Sequence, residues 1–318
     1  MNDFDSNSQV VTRRGFSGVL AVAGAAALSG FTSQIARAAE PARQAGSKKT
    51  DELRVIAYNI LKCTGWPADG GLAKRAVARG QIAKRIALEL ALYDPHVVTF
   101  SESPDEKFTR EIAEQLGMHH VRFPSGETWP GTLLSKFEVL ESQNAPVVGG
   151  SRPADLFTRH WGRAVLKLPA DGPLVVHSAH LYPGQDPAIR LREIDAMLAA
   201  MQAELESGKS LILMGDLNHT PDGPEYAKWR AVGLVDTFAA VGVRDASPAN
   251  PEGKTFAADE PRIRIDYVWC AGPLAKAIQA SRSLWVGAFR TNPADRESFA
   301  LSDHVPQFAE FARTEGDG

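Results

Sequence analysis

Cysteine is scarce in this 318-residue sequence, which contains only Cys63 and Cys270. Two thiols cannot form a zinc cluster by themselves. A basic stripe of the kind that follows a nucleic-acid backbone does not stand out, since 38 Asp and Glu residues outnumber 35 Lys and Arg residues. Internal repeats and low-complexity tracts are absent. With 44% hydrophobic and 23% charged residues, the composition is that of an ordinary globular protein.

The first 38 residues have the features of a signal peptide. The pair Arg13-Arg14 precedes an apolar stretch at residues 19–28, and Ala36-Arg37-Ala38 offers a cleavage site. Paired arginines indicate the twin-arginine route, and the apolar stretch is too short to span a bilayer permanently. We therefore expect a periplasmic or secreted protein without a stable membrane anchor. Removal of residues 1–38 leaves 32 basic and 36 acidic residues, a formal net charge of −4.

Short apolar runs alternate with helical patterns from residue 53 onward. We expect a flexible lead-in at residues 39–50, one domain over residues 51–313, and a tail at 314–318. The predicted strands cover residues 53–60, 96–100, 132–135, 164–168, 174–179, 210–214, 263–269 and 305–311. The predicted helices cover residues 73–92, 106–116, 188–205 and 225–231. Strands separated by helices, several apolar enough to be buried on both faces, indicate a layered α/β domain.

Polar side chains stand at the ends of six of these apolar strands. Such groups are costly beside a core unless they are paired or bound to a metal ion. Their repetition at strand ends therefore indicates a functional site on the edge of a rigid sheet. The residues concerned are Asn59, Glu102, His180, Asp216 with Asn218, Asp266, and Asp303 with His304. His177 lies on the opposite face of its strand from His180, because side chains alternate, and a packing role is favoured for it.

In type and in order, these residues resemble the endonuclease/exonuclease/phosphatase superfamily. That superfamily includes deoxyribonuclease I-like nucleases, exonuclease III-like repair enzymes, neutral sphingomyelinases and inositol phosphatases. The resemblance extends from residue 53 to about residue 311. It implies a four-layer α/β/β/α sandwich with two packed mixed sheets and a site at one edge. One departure is Ser101, because the family glutamate that corresponds to Glu102 commonly follows a glutamine.

The resemblance also implies a role for each residue in a metal-dependent phosphoester hydrolase. Glu102 would bind Mg²⁺, or Mn²⁺ or another divalent cation, with Asn59 and Asp303 completing or supporting the coordination sphere. The implied catalytic residues are His180, Asp216, Asn218, Asp266 and His304. The implied substrate-binding residues are Asn218, His180 and Arg163. Either Asp216 or the pair of His304 and Asp266 would remove the proton of the attacking water, and the sequence leaves that choice open.

Several substrates and one non-catalytic function remain open. The net charge of −4 favours a small phosphorylated solute or a lipid headgroup over DNA or RNA, with a secreted nuclease as the alternative. A binding domain that keeps the fold without the chemistry is a further alternative, which the complete polar set disfavours. The shape of four loops should determine which phosphoester is the substrate: residues 62–72, 122–131, 146–163 and 219–224. Three loop tryptophans could line a pocket or pack structurally: Trp66, Trp129 and Trp161.

The placement of the strands also bears on the cysteines and on assembly. Cys63 lies four residues beyond Asn59, past the edge that carries the site, and Cys270 lies four residues into the strand that Asp266 opens. Four strand residues span about 13 Å, so the two thiols are expected to be free or buried rather than joined in a disulfide. We expect a monomer.

Overall fold

The computed structural model describes residues 52–169, 172–245 and 250–312. The predicted signal peptide, the lead-in and the C-terminal tail lie outside the described residues. The strands are β1 (Glu52–Asn59), β2 (Val97–Ser101), β3 (His119–Phe123), β4 (Gly131–Ser135), β5 (Val139–Asn144), β6 (Trp161–Lys167), β7 (Pro173–His180), β8 (Leu211–Asp216), β9 (Val235–Asp236), β10 (Asp266–Ala271), β11 (Ile278–Ser283) and β12 (Gln307–Ala312). The helices are α1 (Gly71–Ala78), α2 (Gln81–Ala91), α3 (Glu106–Leu116), α4 (Ala188–Glu206), α5 (Pro224–Ala231) and α6 (Thr237–Asp245).

The strands form two mixed sheets of six strands each. One sheet has the order β11-β12-β1-β2-β4-β3, and the other has the order β5-β6-β7-β8-β10-β9. The pairs β1–β2 and β7–β8 are parallel, whereas the other pairs are antiparallel. Parallel neighbours require a crossover, and helices supply it between β1 and β2 and between β7 and β8.

Three apolar clusters fill the spaces between four layers, which are two inner sheets and an outer layer of helices on each side. The cluster between the sheets includes Val55, Val97, Leu166, Val176 and Met214. One outer cluster joins the first sheet to α2 and α3 and includes Ile56, Tyr58, Phe100, Ile86 and Ile112. The other joins the second sheet to α4 and α5 and includes Val175, Leu213, Trp269, Ile194 and Trp229. Because each sheet is covered on both faces, its central strands are almost wholly apolar. The predicted α/β/β/α sandwich is confirmed.

Some elements differ from the sequence prediction. The single helix predicted over residues 73–92 is two helices, α1 and α2, because Gly80 between them has a φ of +62° in the left-handed region. The strands β3, β5, β9 and β11 and the helix α6 were not predicted. β5 is an edge strand with one half-buried residue and five exposed ones, so it lacks the apolar signal on which the prediction relied.

Both cysteines are free and buried, as predicted. Cys63 lies in a short 3-10 turn, Leu61–Cys63, directly after β1, and Cys270 lies within β10. Among the residues that the structure describes, no helix is both long enough and apolar enough to cross a bilayer.

Candidate active site

Strand pairing brings most of the predicted site residues to one edge of the sandwich. The parallel register of β1 and β2 places Asn59 beside Ser101, and Glu102 follows immediately. The parallel register of β7 and β8 places His180 beside Asp216. Since β10 is antiparallel to β8, its first residue, Asp266, is paired with the last residue of β8. Register therefore collects polar groups at the end of each sheet, and the packing of the two sheets brings Asn59 to 3.0 Å from Asp216.

Asp216 lies at the centre of the resulting cluster. Its Oδ2 accepts a hydrogen bond from Asn59 Nδ2 at 3.0 Å. The same oxygen is 3.5 Å from His180 Nε2 and 3.7 Å from His304 Nε2. Burial, followed by repulsion from Asp266, raises the pKa of Asp216 to about 7, although His304 and Asn59 oppose the shift. One buried carboxylate oxygen thus faces an amide and two imidazoles.

His304 is held from behind by Asp266. Its Nδ1 donates to Asp266 Oδ2 at 2.8 Å, which directs Nε2 towards Asp216. The backbone N–H of Asp266 donates to Thr255 Oγ1 at 3.1 Å, and this bond fixes the start of β10. Burial lowers the pKa of His304, but attraction from Asp266 and Asp216 outweighs it and raises the pKa to about 10. The imidazole is therefore a proton donor at neutral pH.

Glu102 has the chemistry of a cation ligand. One carboxylate oxygen, Oε1, accepts from Asn59 Nδ2 at 3.1 Å, whereas Oε2 is buried and has no partner. Burial raises the pKa of Glu102, and the charge of Asp303 adds to the shift. Its φ of +51° is strained for a residue with a side chain. An orphaned buried carboxylate oxygen near a second carboxylate fits a divalent cation.

A second group could also bind a metal ion. Asp216, Asp266 and His304 each offer a ligand atom, and these atoms lie within 4.8 Å of one another. However, attraction from Asp266 and Asp216 raises the pKa of His304 to about 10, so a metal ion would have to displace the proton from its ring. The unpartnered Oε2 of Glu102 requires no such exchange. Glu102 is therefore the better fit.

Asn218 lies in the loop after β8, and His180 is the last residue of β7. Asn218 has a φ of +52°, its backbone N–H donates to Asp216 Oδ1 at 3.2 Å, and its Nδ2 donates to the carbonyl of Leu181 at 3.0 Å. The Nδ1 of His180 is buried without a partner. Burial, with smaller contributions from His160, Arg159 and His304, holds the pKa of His180 well below its usual value. This imidazole is neutral.

Arg163 is not brought to the cluster. Its register partner on β7 is His177, so it lies on the opposite face of the sheet from His180. There its guanidinium contacts Glu204 of α4 at 2.5 Å and Glu141 of β5 at 2.9 Å. Its position therefore gives no support to the predicted role in substrate binding. His177 contacts the same Glu204 at 2.8 Å, in agreement with packing rather than chemistry.

The three tryptophans predicted to lie in loops have different environments, and Trp161 is in fact the first residue of β6. Trp161 is fully buried, and its Nε1 donates to His177 Nδ1 at 3.2 Å, so it belongs to the core. Trp66 is partly buried against the cluster beneath α2. Trp129 lies below two cationic side chains, Lys62 and Arg159.

Sequence reasoning missed His160, Lys62 and Arg159. The backbone carbonyl of His160 accepts from the N–H of His180 at 2.8 Å, and its Nε2 is 2.9 Å from Ser178 Oγ. Its ring occupies the space above Gly131, where an added Cβ would lie 2.1 Å from it. His160 and Arg159 follow no predicted apolar strand. Lys62 comes two residues after the strand predicted over residues 53–60, but it is not one of the carboxylates, amides and imidazoles that mark the strand ends.

A depression of about 430 Å³ opens beside Asn218. Pro183, Pro187 and Ile263 form its apolar walls, and Arg190 and Thr220 provide polar groups. The guanidinium of Arg190 is nearly buried and pairs with Glu225 at 2.7 Å. The depression is large enough for a small organic group next to the polar cluster.

Solved structures with the same fold are similar to this chain at low sequence identity. An endonuclease/exonuclease/phosphatase family protein from Bacteroides thetaiotaomicron is 16% identical with a TM-score of 0.62, over 83% of this chain and 98% of that chain. A mannosyl-6-phosphatase from the same organism is 17% identical with a TM-score of 0.60, over 82% and 100%. TDP2 from D. rerio, complexed with a single-strand DNA product, is 17% identical with a TM-score of 0.57, over 83% and 100%. These likenesses show the shared fold.

Sequence comparison identifies the family. No curated protein sequence matches the chain. The sequence profile of the Endonuclease/Exonuclease/phosphatase family matches residues 56–304, a span that contains Asn59, Glu102, Asp216 and His304. The match covers most of the chain and agrees with the resemblance inferred from the strand ends. The chain belongs to the endonuclease/exonuclease/phosphatase family.

Proposed function

We propose that this protein is an exported, divalent-metal-dependent phosphoester hydrolase that acts on a small phosphorylated solute or a lipid headgroup. The observation that carries the proposal is the environment of Asp216 Oδ2. Asn59, His180 and His304 surround this buried oxygen within 3.7 Å, at the sheet edge of a chain from a phosphoesterase family. Hydrolysis of a phosphoester needs a positioned water, a path for its proton and neutralisation of the phosphoryl charge.

Glu102 would hold the metal ion, supported by Asn59 and Asp303. Mg²⁺ or Mn²⁺ suits this set because carboxylate and amide oxygens are hard ligands. When bound, the ion would supply positive charge to the non-bridging phosphoryl oxygens. The buried, unpartnered Oε2 of Glu102 supports the assignment, since a cation would satisfy it.

Proton handling is assigned to Asp216, Asp266 and His304. Asp216 Oδ2 would orient the attacking water. Asp266 holds the ring of His304 through its bond of 2.8 Å, so that Nε2 points into the cluster. Asn218 and neutral His180 would hold the phosphoryl oxygens from the opposite side. The arrangement keeps donors and acceptors fixed before the substrate arrives, which is the main source of electrostatic catalysis.

The substrate assignment rests on charge and on the shape of the site. The net negative charge of the chain disfavours a polyanion, and the depression beside Asn218 is of a size for a small organic group. The fold is shared with a mannosyl-6-phosphatase, which favours a small ester. It is also shared with TDP2 bound to single-strand DNA, so a secreted nuclease is the second candidate.

Export is proposed from the sequence alone. Arg13-Arg14, the apolar stretch at residues 19–28 and the cleavage site at Ala36-Arg37-Ala38 support the twin-arginine route to the periplasm or beyond. Expression in a bacterium with this pathway should yield a mature protein that begins after Ala38. An uncleaved cytoplasmic product with the intact N-terminus would contradict export. Amino-terminal sequencing of the periplasmic fraction, with Arg13 and Arg14 both changed to Lys as the control, gives the answer.

A substrate panel tests the proposed activity. Bis-p-nitrophenyl phosphate, p-nitrophenyl phosphate, sphingomyelin and plasmid DNA are assayed with Mg²⁺ and with EDTA. We expect hydrolysis of at least one small ester with Mg²⁺ and its loss with EDTA. Cleavage of DNA alone would support the nuclease. Lack of activity on every substrate would favour a non-catalytic binding domain.

A further inference from the structure

A second cluster of charged and aromatic side chains lies beside Glu102. Lys62 Nζ is 3.6 Å from the centre of the Trp129 indole, and the guanidinium carbon of Arg159 is 5.0 Å from the same ring centre. The negative face of an indole stabilises one cation, but two cations on one ring repel each other. A bound anion would offset the positive charge of this pair.

The surrounding carboxylates do not neutralise this pair fully. Glu127 lies 3.5 Å from Arg159, at the long end of an ion pair, and Lys62 has no ion-pair partner among the described residues. The Nε of Arg159 is buried and has no hydrogen-bond partner. Lys62 also lines a depression of about 460 Å³ whose other charged residues are Asp105, Arg122 and Glu127. Lys62 is thus a cation at this depression that has no carboxylate partner among the described residues.

The backbone links Lys62 directly to the candidate active site. Its N–H donates to the carbonyl of Glu102 at 2.8 Å. Leu61, Lys62 and Cys63 have φ values of +44°, +50° and +58°, so three successive residues with side chains occupy the left-handed region. Backbone strain of this kind concentrates at functional sites. Arg159 is close enough for its charge to lower the pKa of Glu102 and of His180.

We propose that Lys62, Trp129 and Arg159 form an anion subsite for a second negatively charged group of the substrate, a phosphate or a carboxylate, next to the scissile phosphoester. The inference rests on the proposed function and narrows its substrate class to phosphoesters with one additional anionic group. Two cations beside one indole suit one extra anionic group, whereas a nucleic-acid strand would need a continuous basic track.

Calorimetry on matched ligands tests the subsite. The full chain with His304→Ala is titrated in the presence of Mg²⁺, so that turnover does not consume the ligands. Fructose 1,6-bisphosphate is compared with fructose 6-phosphate for a second phosphate, and 6-phosphogluconate with glucose 6-phosphate for a carboxylate. We expect at least one doubly charged ligand to bind roughly tenfold more tightly than its partner, as one charged hydrogen bond provides.

Lys62→Met should abolish this difference. The control is Lys84→Met, an exposed lysine of α2 that lies 3.8 Å from Glu111 and should preserve it. Three results would each overturn the subsite. They are equal affinities within both pairs of ligands, no binding of any of the four ligands, and a difference in affinity that persists in Lys62→Met. The substrate panel is independent of this result. Hydrolysis of simple esters without discrimination between the sugar phosphates would leave the proposed function intact and remove only the subsite.

Discussion

Two imidazoles flank Asp216, and one of them is neutral whereas the other is protonated. His180 is neutral because burial holds its pKa well below the usual range, whereas Asp266 and Asp216 together keep His304 protonated. The carboxylate of Asp216 is 2% exposed, so water screens neither contact well. A protonated imidazole and a neutral imidazole within 3.7 Å of one carboxylate oxygen form an arrangement suited to moving a proton.

His304→Ala should lower kcat by at least ~10²-fold, the range that general acid–base groups supply, because the variant loses the protonated Nε2 beside Asp216. Initial rates on bis-p-nitrophenyl phosphate at saturating Mg²⁺ measure the effect. His119→Ala, which removes an exposed histidine of β3, is the control and should leave kcat unchanged. Full activity of His304→Ala would remove this residue from the chemistry.

Glu102→Gln should weaken metal binding while keeping the shape of the side chain. We expect the Mg²⁺ concentration at half-maximal rate to rise by at least ~10-fold, because the amide no longer supplies a negative charge to the cation. Glu114→Gln on the exposed face of α3 is the matched control. An unchanged Mg²⁺ dependence would place the metal ion elsewhere, for instance at Asp216, Asp266 and His304.

Some of the site residues could be predicted from the sequence, and others could not. Asn59, His180 and Asp216 could be located because each ends an apolar strand. Strand register joins His180 to Asp216, and the packing of the two sheets adds Asn59. Arg163 lies inside a strand, and the sequence does not show which helix covers which face. Lys62 and Arg159 lie in loops whose paths depend on tertiary contacts, so no periodic pattern marks them.

At the scale of elements, the turn that ends β8 depends on Gly215. Its φ is +143°, and an added Cβ would lie 2.0 Å from the backbone carbonyl oxygen of Ala179. That oxygen belongs to β7 and cannot move without disturbing the pairing of His180 with Asp216. Glycine is therefore required where the two central strands of the site meet.

Gly215→Ala should reduce the free energy of unfolding by several kcal/mol, on the order of 3 or more, because it adds a backbone clash to an unfavourable φ. Gly80→Ala is the matched control, since Gly80 also has a positive φ but no atom within 4 Å of an added Cβ. It should cost only about 1 kcal/mol. Urea denaturation measures both. If the two variants lost equal free energies of unfolding, the clash with Ala179 would be relieved without cost.

The central elements could be predicted and the peripheral ones could not. The helix α3 was predicted over its full observed length, because Gly117 with a φ of +64° ends it. Strands such as β2 and β8 are fully buried and leave continuous apolar runs. Edge strands such as β5 pair through the backbone with polar side chains, and that pairing leaves no apolar pattern.

At the scale of the whole molecule, buried histidines make stability depend on pH. Burial lowers the pKa of His160 to about 3, whereas an unfolded histidine titrates near 6.5. Between these values the unfolded chain binds a proton that the folded protein does not. The free energy of unfolding should therefore fall as pH decreases from about 6.5 towards 3, by up to ~1.4 kcal/mol per pH unit for each such histidine.

His160→Gln should make the loss of stability between pH 6 and pH 4 less steep, because glutamine does not titrate. Urea denaturation at several pH values measures the slope. His119→Gln, at an exposed position, should keep the slope of the wild type. His219, whose pKa burial likewise lowers to about 3, will maintain part of the acid sensitivity in both variants. Identical slopes for His160→Gln and the wild type would contradict the buried neutral state of His160.

The central claim is that the polar cluster around Asp216 hydrolyses phosphoesters. Its most direct test is the rate of phosphoester hydrolysis by wild type and by Asp216→Asn at saturating Mg²⁺, with circular dichroism to verify that the variant is folded. We expect metal-dependent hydrolysis by the wild type and a loss of about 10³-fold in the folded variant, because the amide cannot accept a proton. A folded Asp216→Asn variant with wild-type activity would contradict the claim.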